Sequence, residues 1–270
     1  MRYGFVLPFV DARRAADLAR EAEERGWDGV FVADTVWGID PWVALAAAAM
    51  TTQSVRLGTM LTPLSRRRPW KLASETATLD NLSGGRLILA TGLGAPDTGF
   101  AAFGETTDRR TRAELLDEGL DVLTGLWAGQ PFSHEGKHYR IRPTQFFPPP
   151  PPVQRPRIPI WVVGAWYRER SVRRALRYDG LLPNVLDEAG SMTALTPEKV
   201  REMRAHAGEH SGPEFDIVVE GTTLGGDLKR AAAEVRTYAE AGATWWLESM
   251  WTEPNGPDEL RRRIRSGPPR

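Results

Sequence analysis

The sequence predicts an α/β protein built as a single (β/α)8 barrel. Short apolar runs alternate with amphipathic, helix-period stretches along almost the whole chain. That alternation repeats eight times within 270 residues. Strict alternation implies parallel strands joined by crossover helices. Eight such units in ~250 residues favour closure into a barrel over an open doubly wound sheet. The rhythm breaks once, at 130–158, where Pro148 to Pro152 are consecutive prolines that suit neither a helix interior nor a central strand. We read that stretch as a surface excursion after the fourth helix, within one domain spanning 1–270.

The elements follow in order. Tyr3–Leu7 is a short apolar strand. Ala12–Arg25 has helical period, with Ala15, Ala16, Leu18, Ala19 and Ala22 on one side and Gly26 as its stop. Gly29–Ala33 is a buried strand; Pro41 opens a helix to Thr52 behind an Asp40 N-cap. Val55–Leu61 forms the third strand, Pro69–Leu82 a helix stopped by Ser83-Gly84-Gly85, Arg86–Thr91 the fourth strand and Arg109–Gly129 a long helix. Within the excursion, His138–Arg142 reads as a short strand. Beyond it come strand Pro159–Val163, helix Arg168–Tyr178, strand Gly180–Asn184, helix Pro197–Ala207, strand Asp216–Glu220, helix Asp227–Ala241, strand Thr244–Ser249 and a last helix Asp258–Arg265.

Composition narrows the function classes. Thirty-five basic residues balance 35 acidic ones, so no strong positive field awaits a nucleic acid. The absence of cysteine excludes disulfides, thiolate nucleophiles, Cys-ligated zinc and iron–sulfur clusters. The charged start lacks the apolar segment of a secretory signal, and no run approaches the ~20 apolar residues that cross a bilayer. A cytoplasmic protein with no membrane partner is expected.

In a barrel of this type chemistry sits at the C-terminal strand ends. Reading those ends yields Asp34-Thr35 with Trp37 beyond, Thr62-Pro63, Gly92-Leu93-Gly94, Gly164-Ala165-Trp166, Asn184, Glu220-Gly221-Thr222, and Glu248-Ser249 with Trp251 beyond. Asp34, Glu220 and Glu248 come from three strands and are expected to converge on one mouth, where they would manage protons; each suits a loop cap or an Arg pair equally well. Trp37, Trp166, Trp246 and Trp251 fall at or past strand ends and would suit a flat conjugated ligand. Trp42, Trp70 and Trp127 suit helix-to-barrel packing. Gly164 to Arg168, entering the next helix, is the best phosphate cradle, with Arg168 and Arg170 adding charge. Gly225-Gly226 is a rival, weakened by Asp227. GxGxxG, GxxxxGK[ST] and GxSxG are absent. The pairs His134/His138 and His206/His210 lack a zincin spacing and a visible third ligand, so no metal is expected.

The run VRLGTMLTPLSRRRPWKLASETATLDNLSGGRLILATGLG (55–94) resembles the central signature of the bacterial-luciferase-like family of flavin- and F420-dependent barrel oxidoreductases. GLWAGQPFSHEGKHYRI (125–141), PPVQRPRIPIWVVGA (151–165) and RRALRYDGLLP (173–183) are similar to its later blocks. The resemblance implies a (β/α)8 (TIM) barrel binding FMN, or alternatively F420, across the strand ends. It implies a non-proline cis peptide at Met60-Leu61, with Met60, Leu61 and Thr62 backing the isoalloxazine ring. Gly92, Leu93 and Gly94 would edge the ring; Val163, Gly164, Ala165, Trp166 and Arg168 would hold the phosphate end. Trp37, Asn184, Trp246 and Trp251 would line the substrate pocket, and Asp34, Thr35, Glu220 and Glu248 would supply catalytic groups.

Two departures matter. Alcohol-oxidising F420 members of the family tend to carry Asp-His after the second strand and a Glu after the strand-four glycine; here stand Asp34-Thr35 and Ala95. The expectation is therefore a reduced-FMN monooxygenase acting on a small organic substrate, supplied by a separate flavin reductase. The alternatives are an F420 enzyme, with Arg66-Arg67-Arg68 meeting its acidic tail, and a flavin- or ligand-binding barrel without turnover. A homodimer is compatible with the resemblance.

Overall fold

The computed structural model describes residues 1–7, 10–144, 150–187, 191–212, 214–223, 225–251 and 257–270, so Pro148 and Pro149 of the proline run lie outside the described residues. The chain alternates β1 (Arg2–Leu7), α1 (Ala12–Glu24), β2 (Gly29–Val32), α2 (Pro41–Thr51), β3 (Arg56–Thr59), β4 (Thr62–Pro63), α3 (Pro69–Leu82), β5 (Leu87–Gly92) and α4 (Arg109–Ala128). The hairpin β6 (Phe132–Glu135) and β7 (Arg140–Thr144) follows. The alternation resumes with β8 (Ile160–Trp166), α5 (Glu169–Ala175), β9 (Gly180–Leu186), the short β10 (Met192–Thr193), α6 (Pro197–His210), β11 (Asp216–Gly221), α7 (Leu228–Glu240), β12 (Trp245–Ser249) and α8 (Pro257–Arg265).

Among the described residues eight strands pair in parallel in the order β1-β2-β3-β5-β8-β9-β11-β12, and β12 pairs back onto β1 through Arg2↔Trp245 to Val6↔Ser249. The sheet is therefore a closed wheel, as the alternation predicts. The third strand differs from the expected continuous run 55–61. It ends at Thr59, passes through a cis Met60-Leu61 peptide and resumes as β4 against Thr91 and Gly92. The Thr62 hydroxyl donates to Thr59 Oγ1 at 2.9 Å, and the Thr91 hydroxyl donates to the Thr62 carbonyl at 2.8 Å.

Local chemistry sets the helix starts. Asp40 accepts from the Trp42 and Val43 N–H groups at 2.9 and 3.0 Å, with Pro41 in the first turn. Asp11, Asp108 and Asp227 cap α1, α4 and α7 in the same way.

The interior has two layers. Inside the wheel lie Val6, Phe31, Ile88, Ala90, Trp161, Leu182, Val218, Trp245 and Leu247. Space for Phe31 comes from close approach of bare backbone: a Cβ on Gly58 would lie 2.6 Å from the Ile88 carbonyl and 2.8 Å from the Phe31 ring. The outer layer, between strands and helices, holds Phe5, Leu18, Leu45, Leu72, Leu120, Val162, Val200 and Trp246 among others. Among the described residues no helix is long and apolar enough to cross a membrane.

The excursion is a hairpin whose first strand was not expected from the sequence. Phe132–Glu135 alternates half-buried and exposed residues and carries no apolar run. Glu118 on α4 holds it by accepting from the His138 and Tyr139 N–H groups. Burial raises the Glu118 pKa, but these donors and the His134 ring outweigh burial and leave it lowered. The return limb is tied by buried Asp80, which accepts from the Val153 N–H at 2.7 Å and the Gln154 side chain at 2.7 Å.

Candidate active site

Alternation along the barrel strands decides which side chains reach the mouth. On β11, Val218 faces the lumen, and Glu220, two residues on, shares that direction at the C-terminal end. Its carboxylate is exposed and accepts a hydrogen bond from the Trp251 Nε1–H. On β9, Leu182 faces the lumen and Asn184 follows it, half-buried. Met60, Leu61 and Val163 pack against the top of the lumen cluster. A Cβ on Gly92 would lie 3.0 Å from Val163. Glu220, Asn184, Trp251, Met60, Leu61, Gly92 and Val163 thus gather at one end of the wheel.

Other expected mouth residues go elsewhere. On β12 the lumen residues are Trp245 and Leu247, so Trp246 and Glu248 point into the helix layer. Trp246 is buried with its ring 5.7 Å from that of Tyr238 on α7. Glu248 is 0% exposed and accepts from the Thr223 N–H (2.6 Å), the Thr223 hydroxyl (2.8 Å), Trp246 Nε1 (3.1 Å) and Arg263 (3.1 Å). It is a fully satisfied structural carboxylate that locks α8 to the barrel, which corrects its expected role in proton handling. Asp34 is 9% exposed and is clamped by Arg67 through both oxygens at 3.0 Å and by Arg66 at 3.3 Å. Arg66 also donates to the Thr35 carbonyl at 3.1 Å, so Thr35 takes part through its backbone. These contacts occupy Arg66 and Arg67, which removes them as the expected partners of an acidic tail. Trp37 is 85% exposed, beyond the mouth.

The end of β8 also differs from expectation. Gly164 faces the helix layer, where a Cβ would lie 2.5 Å from Leu181 Cδ1. Its bareness serves strand–helix packing and not an approaching phosphate. The Ala165 N–H is taken by the Ser171 hydroxyl at 2.9 Å. Trp166 is buried against the outer core, edge-on to His206.

Beside these residues opens a cleft of about 960 Å³, lined by Leu93 at the end of β5, the first turns of α4, and Tyr167 to Arg177 after β8. Seven arginines line it: Arg109, Arg110, Arg168, Arg170, Arg173, Arg174 and Arg177. Arg110, Arg173, Arg174 and Arg177 pair with Glu114, Glu169, Asp117 and Asp121. No carboxylate pairs with Arg109, Arg168 or Arg170 among the described residues. Sequence reasoning placed Arg168 and Arg170 near an anion but missed Arg109, which stands a whole helix away. It also missed Arg112, whose buried guanidinium donates to the Leu93 and Gly94 carbonyls at 2.9 and 3.0 Å and holds the glycine strand end in place.

A closed parallel barrel with a broken third strand and an arginine-lined cleft beside its C-terminal strand ends defines a (β/α)8 protein, the class whose sites are built at those ends. The chain belongs to the luciferase-like monooxygenase family, which it matches over residues 1–266. It is 35% identical over 136 residues to the F420-dependent glucose-6-phosphate dehydrogenase of Nakamurella multipartita, a match covering 46% of this chain and 40% of that protein. The first curated relatives are thus matched over only 41% and 40% of their own length. Two solved structures share the fold. They are the monooxygenase RslO1 from Streptomyces bottropensis (TM-score 0.72, 23% identity, 98% of this chain and 96% of that one) and the coenzyme F420-dependent tetrahydromethanopterin reductase from Methanopyrus kandleri (TM-score 0.76, 18% identity, 98% and 96%).

Proposed function

We propose that this chain is an oxidoreductase that holds a deazaflavin of the F420 type across its barrel mouth and uses it to reduce a small organic substrate. The arginine cleft carries the reading. Among the described residues three guanidinium groups without carboxylate partners stand at the start of α4 (Arg109) and at the start of α5 (Arg168 and Arg170), where they fit a cofactor with several negative charges at one end. The family relative from Nakamurella multipartita is named for the same cofactor. The half-buried Met60, Leu61 and Val163, packed on the lumen cluster, offer an apolar wall for a flat ring.

When bound, such a group supplies hydride transfer, and the protein supplies position and dryness. Arg109, Arg168 and Arg170 would anchor its anionic end. Arg112 fixes the Leu93–Gly94 backbone beside it. Of the three carboxylates singled out from the sequence, Glu220 alone faces the mouth with an oxygen open to water, so proton movement falls to it. Asp34 and Glu248, saturated with donors, hold structure.

A second reading, FMN in place of F420, is favoured by Thr35 and Ala95, which stand where alcohol-oxidising F420 members tend to have His and Glu. It retains the expected reductase partner. Titrating the purified protein with F420 and with FMN, followed by fluorescence quenching, separates the two. The F420 reading expects tighter binding of F420, and a tenfold or greater loss of that affinity in the double variant Arg168→Ala, Arg170→Ala. F420 binding that ignores both substitutions overturns it.

A further inference from the structure

We infer that the C-terminal end of α6 carries a site for a divalent transition-metal ion of the zinc class, formed by His206, Glu209 and His210. From the sequence this pair of histidines lacked a third ligand. The structure provides one: a ligand atom from each of the three residues lies within 4.8 Å of the others. His206 and His210 stand one helical turn apart on the same face, with ring centroids 4.4 Å apart. Two imidazoles and a carboxylate are a donor set that zinc, nickel and copper prefer over magnesium or calcium.

Three further observations support a ligand role. The Nδ1 atom of His210 lies 2.8 Å from the His206 carbonyl. A backbone carbonyl is an acceptor, so Nδ1 carries the proton and Nε2 is left with a lone pair, which is how second-shell contacts orient metal-binding histidines. The site lies in the last turn of a 14-residue helix, where the helix dipole favours a cation. His206 is also fixed from behind by the edge-on Trp166 ring at 5.8 Å, so one ligand is positioned before the ion arrives. Tetrahedral ligation at about 2.0–2.2 Å needs donors roughly 3.4 Å apart. The ligand atoms, within 4.8 Å of one another, come to that spacing by small side-chain adjustments, chiefly of the exposed Glu209, with the His210 hydrogen bond kept.

The two histidines also line a pocket of about 410 Å³ with Trp166, Val172 and Leu176; its charged wall, Glu169 and Arg173, is shared with the arginine cleft. Three protein ligands leave a fourth position for water or a small donor beside that pocket. None of the three ligands is a residue assigned to the mouth or to the anchoring arginines, and the site does not depend on the cofactor reading.

The test is equilibrium dialysis of the full, untagged chain against Zn2+, with bound metal measured by elemental analysis. One zinc per chain is expected. Affinity should fall at least tenfold in His206→Ala, His210→Ala, and clearly in Glu209→Gln. The variant His134→Ala, His138→Ala, which removes the other histidine pair, should bind as the parent does. Single His210→Ala, at an exposed position, guards against misfolding, with far-UV circular dichroism as the check. The inference is overturned if the parent chain holds no stoichiometric zinc. It is equally overturned if removing the α6 histidines leaves binding unchanged, or if the hairpin pair carries it.

Discussion

Three carboxylates that read alike in the sequence have three different surroundings, and substitutions at each are expected to differ accordingly. Glu220 faces the mouth, so Glu220→Gln should lower turnover by about 10²–10⁴ while leaving cofactor affinity and stability near the parent values. Steady-state kinetics beside a binding titration read this directly; unchanged turnover would remove Glu220 from the chemistry. Asp34 and Glu248 are buried ion-pair acceptors. Glu248→Ala leaves the Arg263 charge unpaired in the interior and should cost about 3–5 kcal/mol in urea unfolding; Asp34→Ala strips the carboxylate from Arg66 but leaves Arg67 near Asp40 and Glu75, and should cost less. Gly164→Val presses a methyl against Leu181 and should cost about 1–3 kcal/mol by overpacking. In that variant the cofactor affinity of the molecules that remain folded should be unaltered. Which of these residues does what was not legible in the sequence. A strand buried on both faces is apolar on both sides along most of its length, so alternation shows that Trp246 and Glu248 share a side without showing which side it is.

At the scale of elements, the hairpin β6–β7 depends on two glutamates of α4. The side chains of Lys137, His138 and Arg110 bond Glu114 and hold its carboxyl down to about 2. A carboxyl depressed in the docked state favours docking at pH above its ordinary value and loses that contribution as pH falls towards the depressed one. The hairpin should therefore stay docked at pH 5 and loosen between about pH 4.5 and 2. Hydrogen exchange across 132–144 should show protection falling in that window, and Glu114→Gln should lessen the dependence, the remainder belonging to Glu118. Protection indifferent to pH there would show that the anchor lies elsewhere. Most element positions were readable because proline, glycine and aspartate punctuate them, as at Asp40-Pro41 and Ser83-Gly84-Gly85. Phe132–Glu135 was not, because an edge hairpin over a helix carries no apolar run. The break between β3 and β4 leaves no mark in hydrophobic pattern; the family resemblance, not periodicity, pointed to Met60-Leu61.

For the whole molecule, alternation and length sufficed to specify a closed wheel, since eight crossover units leave few other solutions. The arginine cleft was only half visible. It joins the start of α4 to the turn after β8, and residues such as Arg109 and Arg168, far apart in the chain, line one cleft only because β8 pairs beside β5. Its anchoring is electrostatic and exposed, so F420 affinity should weaken as ionic strength rises, more steeply in the parent than in Arg168→Ala, Arg170→Ala. Equal salt dependence in both proteins would place the anionic end elsewhere. The central claim, that a deazaflavin lies across the strand ends, is tested most directly by purifying the chain from a host that makes both F420 and FMN, then taking the mass and absorption spectrum of the chromophore released on denaturation. F420 in near-stoichiometric amount is the expected result. FMN in its place would make this a flavin enzyme of the second kind, and a colourless protein that binds neither cofactor on titration would show that no such ring lies there.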